Sequence, residues 1–388
     1  MTPSKKSQLL LIFGIALISI NLRTSIASVG PLIPFIREDL DISNGLAGFL
    51  TTLSLITFAI FSLFAPSIGK RIGNARAIFL GISLLTVGVI IRVLGGTTLL
   101  FVGTALTGIG IVIANVLMIP LFKARIPEKM GLMTAILSTG MSLFAAIASG
   151  LSVPLAVDLN LGWRGSLASW SLVMLLALAV WFPQVKLKPK AANLSNEAIK
   201  NVWKSTLAWQ VTLFMGAQSV MYFTMVTWLP DMLISRGMSP VLAGIALSYA
   251  QLISLLGTFF APNFLIKQKE QTGVIIGVGL AYFLGYGLLF IELDWVAFVS
   301  LTIIGIGSGA SLSIAYTLIS LRTIEDRTTA KLSGMVQSAG YVLAALGPLL
   351  FGISLDLIGD WDLLIWFLII MTAQFLAFGI PAGRNRKI

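Results

Sequence analysis

The chain has 388 residues, 57% of them hydrophobic and 11% charged, with a mean hydropathy of +0.97. A soluble domain carries about 25% charged residues, so a water-soluble globule is excluded. The absence of cysteine and histidine removes disulfides, thiolate nucleophiles, imidazole metal ligands and histidine proton relays. The net charge of +11 raises nucleic acid as a partner, but its distribution argues for a different cause.

Runs of about 20 apolar residues, each able to cross a hydrocarbon core of ~30 Å, recur roughly twelve times. They fall at 9–31, 44–68, 77–95, 98–120, 132–155, 164–183, 206–229, 240–265, 273–291, 295–320, 332–355 and 361–381. The expected class is an all-α polytopic membrane protein. The first run follows Lys5 and Lys6 as a secretory signal would. It is too long for one, and no small-residue cleavage site precedes Arg37-Glu38-Asp39, so it reads as a retained span. Lys70, Arg71, Arg76, Lys123, Arg125, Lys129, Arg322, Lys331 and Arg384 all fall on the side of Lys5 and Lys6, whereas Arg37, Arg164 and Arg236 fall on the other. The positive-inside rule then makes both termini cytoplasmic. Basicity is thus a topology signal, and no nucleic-acid partner is expected.

The chain also repeats itself. Phe101-Val102 with Gly108-Ile109-Gly110 returns as Phe298-Val299 with Gly305-Ile306-Gly307, at an offset of 298 − 101 = 197. Ala65-Pro66 returns as Ala261-Pro262, and Ser138-Thr139-Gly140 as Ser338-Ala339-Gly340. Two six-helix halves in the same orientation are expected, at 1–183 and 205–388, joined by a polar cytoplasmic connector at 184–204. Parallel halves around a midplane site are the architecture of the major facilitator superfamily.

Arg23 lies just past the middle of the first run, and all acids read as loop or helix-end residues. A cation at that depth is costly and should face a protein interior or a water-filled cavity. Its planar donor fork matches a small oxyanion or carboxylate. At about 100° per residue, Asn21, Thr24, Ser25 and Ser28 share one stripe and Arg23 lies nearly opposite, with Ser19, Ala27 and Gly30. Arg23 is therefore expected to face the cavity and Asn21 and Ser25 to bridge helices, the alternative being that Arg23 pins helices through backbone carbonyls. Arg92, near the end of the third run, is expected to snorkel or to guard the outer mouth. Trp163, Trp228, Trp295 and Trp361 are expected as interface anchors.

Asn21-Leu22-Arg23 running to Gly30-Pro31-Leu32, Gly108-Ile109-Gly110 to Asn115-Val116-Leu117, Gly162-Trp163-Arg164, and Met215-Gly216-Ala217-Gln218-Ser219 to Trp228-Leu229-Pro230 resemble the CynX/NimT branch of the major facilitator superfamily. The resemblance implies twelve transmembrane helices in two pseudo-symmetric six-helix bundles, and a carrier of a small compact solute such as cyanate or a 2-nitroimidazole. It also implies that spans one, four, seven and ten line a central cavity. Their polar residues near mid-depth, Arg23, Asn115, Gln218, Tyr222 and Tyr316, become the binding candidates, joined by Tyr249, Gln251, Gln337 and Tyr341 from neighbouring spans. Arg71 and Gly73 keep part of the superfamily's cytoplasmic gating loop, with Lys70 where an acid is usual. Gly140, Gly150 and Pro154 carry part of a drug-antiporter motif, leaving efflux of drugs or toxicants as an alternative.

The expected function is a secondary active or facilitative transporter working by alternating access, in the cytoplasmic membrane of a bacterium. The substrate is a small anion or a compact nitro-heterocycle, and the carrier is a monomer in contact with membrane lipid. No nucleotide motif is present, no cofactor is expected, and no cluster of acid, base, nucleophile or metal ligands argues for an enzyme. A membrane-embedded enzyme or a sensor remains the minor alternative.

Overall fold

The computed structural model describes residues 5–185, 202–265, 268–324 and 326–388. Among them no strand occurs. Fourteen α-helices follow in order: α1 (Lys5–Ala27), α2 (Ile33–Leu40), α3 (Asn44–Ile72), α4 (Asn74–Ile91), α5 (Thr97–Arg125), α6 (Met130–Ala156), α7 (Gly162–Ser169), α8 (Ser171–Val185), α9 (Thr206–Ser235), α10 (Pro240–Leu265), α11 (Thr272–Leu288), α12 (Asp294–Leu321), α13 (Asp326–Ile358) and α14 (Asp362–Ala382).

Ten described segments are long and apolar enough to cross a membrane, with α1 and α2 merged in one span and α7 and α8 in another. The apolar α11 falls just short of that length with 17 residues, and the 30-residue α9 is long enough but is not among those ten segments. The protein is a multi-pass, all-α membrane protein. The two halves keep the sequence offset: α10 starts 240 − 44 = 196 residues after α3, α11 starts 272 − 74 = 198 after α4, and α12 starts 294 − 97 = 197 after α5.

The chain divides into two compact units. The first comprises residues 1–41 and 53–195, the second 42–52 and 196–388. Helix α3 is therefore split, its first turns belonging with the second unit. There, Asp356 Oδ1 accepts from the Asn44 amide N–H (2.9 Å) and Nδ2 (2.8 Å), and Oδ2 accepts from the Gly45 N–H (2.7 Å). An acid thus caps the exposed donors of a helix start, as the helix dipole favours. Most of the connector expected at 184–204 lies outside the described residues.

In the first unit, proline chemistry explains the break after α1. Pro31 has no N–H to give the Ala27 carbonyl, and the Leu32 N–H turns instead to Val29 O (2.9 Å), leaving the Ala27 and Ser28 carbonyls without helical donors. Two hydroxyls of α6 take those places: Ser149 Oγ donates to Ala27 O (3.1 Å) and Ser152 Oγ to Ser28 O (3.0 Å). Ser166 Oγ of α7 donates in turn to Ser152 O (2.7 Å). In the second unit α10 and α12 lie almost backbone to backbone. A Cβ on Gly309 would stand 1.8 Å from Ser254 O, which only glycine tolerates. Such close approach through small residues replaces the hydrophobic drive that lipid removes.

Two of the four expected anchors prove to be core residues. Trp228 is fully buried and donates its indole N–H to Pro348 O (3.0 Å), and Trp163 is 5% exposed and donates to Asp39 Oδ2 (3.2 Å). Trp295, 68% exposed, keeps an anchor's surroundings. Position at a helix end does not separate an indole that meets lipid headgroups from one that finds an acceptor inside.

Candidate substrate site

Within the second unit, helices α9, α10, α11 and α12 surround a cavity of ≈ 40 Å³. At about 10–15 Å³ per water, that is room for roughly three waters or a very compact solute. Met221, Tyr222, Met225, Gln251, Ser254, Tyr282, Tyr286 and Ser308 supply its sulfur, aromatic and polar surface, and no charged side chain lines it. Leu247 to Ser254 and Ile304 to Ser308 fall near the middle of α10 and α12, whereas Met221 to Leu229 run from the middle of α9 toward its C-terminal end, and Tyr282 and Tyr286 lie in the C-terminal half of α11. At 1.5 Å rise per residue the cavity therefore reaches from the middle of the span toward the ends at which α9 and α11 finish.

Its polar wall is continuous with a buried network. Tyr282 and Tyr286, one turn apart on α11, stack with centroids 5.5 Å apart and planes 1° from parallel. The Tyr282 hydroxyl donates to Ser311 Oγ (3.0 Å), and Ser311 Oγ donates to Ser308 O (2.9 Å) and lies 3.4 Å from Gln218 Oε1. Gln218 Nε2 donates to Ser219 Oγ (2.9 Å). The Tyr286 hydroxyl has no such partner among the described residues. This leaves one donor on the cavity wall for a ligand.

Of the nine expected binding residues, the cavity brings together Tyr222 and Gln251. Gln218, 4% exposed, stands behind it through Ser311 and Tyr282. Tyr249 is tied to Thr302 Oγ1 (2.7 Å) and packs edge-on against Phe298, away from the cavity. Tyr316 is 46% exposed on α12. Gln337 donates to Ser333 Oγ (3.0 Å) on its own helix, and Tyr341 is partly exposed on α13. In the first unit, Arg23 on α1 and Asn115 on α5 are both partly exposed. Arg71 is exposed, while Gly73 is the N-cap of α4 with φ +89°, a conformation that by itself calls for glycine.

The stripe on α1 is buried as expected: Asn21, Thr24, Ser25 and Ser28 are at most 1% exposed, and Asn21 Nδ2 reaches Val173 O (3.4 Å) on α8. The opposite face is not left open for a cavity. Ser19 is 1% exposed and Ala27 3%, both against α6, where the Ala27 carbonyl meets Ser149 and a Cβ on Gly140 would strike Ser19 Oγ. Arg92 departs furthest from expectation. It neither snorkels nor faces a mouth: it is 1% exposed and donates from Nη1 to Ser25 O (2.8 Å).

Tyr282 and Tyr286 escaped the sequence reading because it drew candidates from spans one, four, seven and ten and the eighth and eleventh. Their signal was present as two tyrosines four residues apart in an otherwise apolar run.

Comparison with known proteins settles the family. The sequence pattern of the Major Facilitator Superfamily matches residues 11–348. The chain belongs to that superfamily. It is 43% identical over 97% of its length to an uncharacterized transporter, YycB, of Bacillus subtilis, covering 94% of that protein. It is 37% identical over 99% of its length to the 2-nitroimidazole transporter of Escherichia coli, covering 98%, and 25% identical over 95% to the cyanate transport protein CynX of the same organism, covering 97%. This places it with the CynX and nitroimidazole carriers. A crystal structure of a D-xylose–proton symporter shares the fold, with a TM-score of 0.75 at 16% identity over 98% of each chain. This major facilitator is a transporter of a small solute and not an enzyme.

Proposed function

We propose that this carrier moves a compact, planar, polar solute of the nitro-heterocycle kind across a bacterial cytoplasmic membrane by alternating access, as a monomer with both termini cytoplasmic. The observation that carries the substrate reading is the chemistry of the cavity among α9 to α12: three tyrosines, two methionines, an amide and two hydroxyls, with no charge among the lining residues. Aromatic faces and polarizable sulfur suit a flat ring, and single hydroxyl and amide donors suit a nitro or ring-nitrogen acceptor. The name of the Escherichia coli relative agrees with such a ligand. The asymmetry of lysine and arginine across the connections supports the orientation.

A second reading, a small anion such as cyanate or a carboxylate, is favoured by Arg23, a guanidinium at mid-span that remains partly exposed. Uptake of labelled 2-nitroimidazole and of labelled cyanate by proteoliposomes separates the two. Saturable movement of the ring but not the anion is expected, and the reverse would transfer the assignment to Arg23.

A further inference from the structure

Among the described residues two arginines are almost completely buried, and they are treated differently. Arg322, 2% exposed, gives Nε to Ala382 O (2.9 Å) and Nη2 to Gly383 O (3.0 Å) and to Gln271 Oε1. Arg92, 1% exposed, has the single bond from Nη1 to Ser25 O. Among the described residues its Nε and Nη2 have no hydrogen-bond partner. Nε and Nη2 form one edge of the guanidinium, the parallel donor pair that holds an anion bidentately.

Two other buried donors of the first unit lack partners among the described residues, the hydroxyl of Ser28 and the indole N–H of Trp170. Hydrogen bonds fix their level along the helices. Asn21 of α1 reaches Val173, while Ser28 meets Ser152, which Ser166 contacts in turn. With α1 and the α7–α8 span antiparallel, the pairs 21 with 173 and 28 with 166 each sum to 194, so Trp170 falls level with Thr24 and Ser25. That is the level at which Arg92 touches α1.

We propose that Arg92, Trp170 and Ser28 form an occluded site for one small monovalent anion of the halide class, inside the first unit and independent of which solute is carried. Charge decides between an anion and water. Water satisfies donors but leaves a cation that costs several kcal/mol to bury. Arg92 is the C-cap of α4, but a helix C-terminus returns only about 0.3–2 kcal/mol to a cation. No described carboxylate pairs with Arg92, whereas Arg164 pairs with Asp39 and Arg236 with Glu292 and Asp362. Asn21 Oδ1, also without a partner, lies one turn away and is the acceptor that such an anion would avoid.

The deciding measurement uses the whole protein purified throughout in bromide. An anomalous peak is expected within contact distance of Arg92 Nε and Nη2, weaker in Trp170→Phe. No peak there, or density without anomalous signal, overturns the proposal. In parallel, exchanging gluconate for chloride at constant ionic strength should raise the thermal midpoint saturably. The rise should disappear in Arg92→Met and need several-fold more chloride in Trp170→Phe. Should Arg92→Met fail to fold, the Trp170→Phe shift decides this arm, and an unchanged chloride dependence in that variant counts against the site.

Discussion

The two stacked tyrosines of α11 allow the cavity to be tested by a pair of one-atom deletions. Tyr282 spends its hydroxyl on Ser311, whereas the Tyr286 hydroxyl has no described partner and its ring lines the cavity. Removing an oxygen that bonds only a ligand should lower affinity without lowering stability. A net hydrogen bond is worth about 0.5–1.5 kcal/mol, and every 1.4 kcal/mol is tenfold. Tyr286→Phe should therefore raise the Kd or KM of the transported solute by roughly 2- to 12-fold. Its thermal midpoint should hold, because no hydrogen bond among the described residues is lost. Tyr282→Phe should do the opposite. It breaks a bond inside the protein, so stability should fall by about 0.5–1.5 kcal/mol while the ligand still meets the Tyr286 hydroxyl. Uptake in proteoliposomes gives the affinity and thermal unfolding in detergent gives the stability. If Tyr286→Phe transports with unchanged KM, the ligand does not use this wall and the cavity assignment fails.

Other expectations are as direct. Arg23→Ala should abolish transport of an anionic substrate, with Arg23→Lys retaining part of it because lysine keeps the charge and loses the fork; normal cyanate uptake by Arg23→Ala would assign Arg23 to helix packing. Gly309→Ala places a methyl 1.8 Å from Ser254 O and should destabilise by about 1–3 kcal/mol as α10 and α12 are forced apart, read as a lower midpoint in detergent. A cysteine at Leu159, which is 63% exposed between α6 and α7, should react with an impermeant maleimide from outside intact cells, and one at Lys387 should not; the opposite pattern would invert the topology.

How far the sequence carried can be judged element by element. Span positions were legible because a bilayer demands a length of apolar chain that no other context requires, and the offset near 197 residues recurs between the starts of α3, α4 and α5 and those of α10, α11 and α12. Polar residues were harder. Asn21 was placed correctly, its amide reaching Val173 O on α8, because helical periodicity sets angular position; the Ser25 hydroxyl is buried on the same stripe but stays within α1, donating to Asn21 O rather than bridging helices. Periodicity says which residues share a face and not which faces meet a neighbour, so it did not show that Ser19 and Ala27, on the face of Arg23, pack against α6. Trp228 and Arg92 failed for a related reason: a long polar side chain near a helix end can turn either outward to an interface or inward to a carbonyl. The choice depends on acceptors contributed from far along the chain, Pro348 for one and Ser25 for the other.

The acids show how the same ambiguity bears on coupling. Asp231 and Asp356 are the two that a tilted span could bring into a cavity, and they are held differently. Asp356 lies near the end of α13, with both oxygens accepting from the start of α3, so its charge already has a structural use. Protonating it would remove acceptors that the helix start needs. Asp231 is 5% exposed within the last turns of α9, but it is absent from the cavity wall. A carboxylate relay needs an acid that alternates between sides and exchanges its proton with water during each cycle. Neither residue fits in this conformation, so proton-driven accumulation of a non-titratable solute is expected to be absent. Imposing a pH gradient on proteoliposomes tests this. Accumulation in the wild type that is lost in Asp231→Asn while Asp356→Asn retains it would identify Asp231 as the relay and refute the assignment of a carrier without one. Loss in Asp356→Asn alone would do the same for the capping acid, and would mean that the α3 cap opens during transport.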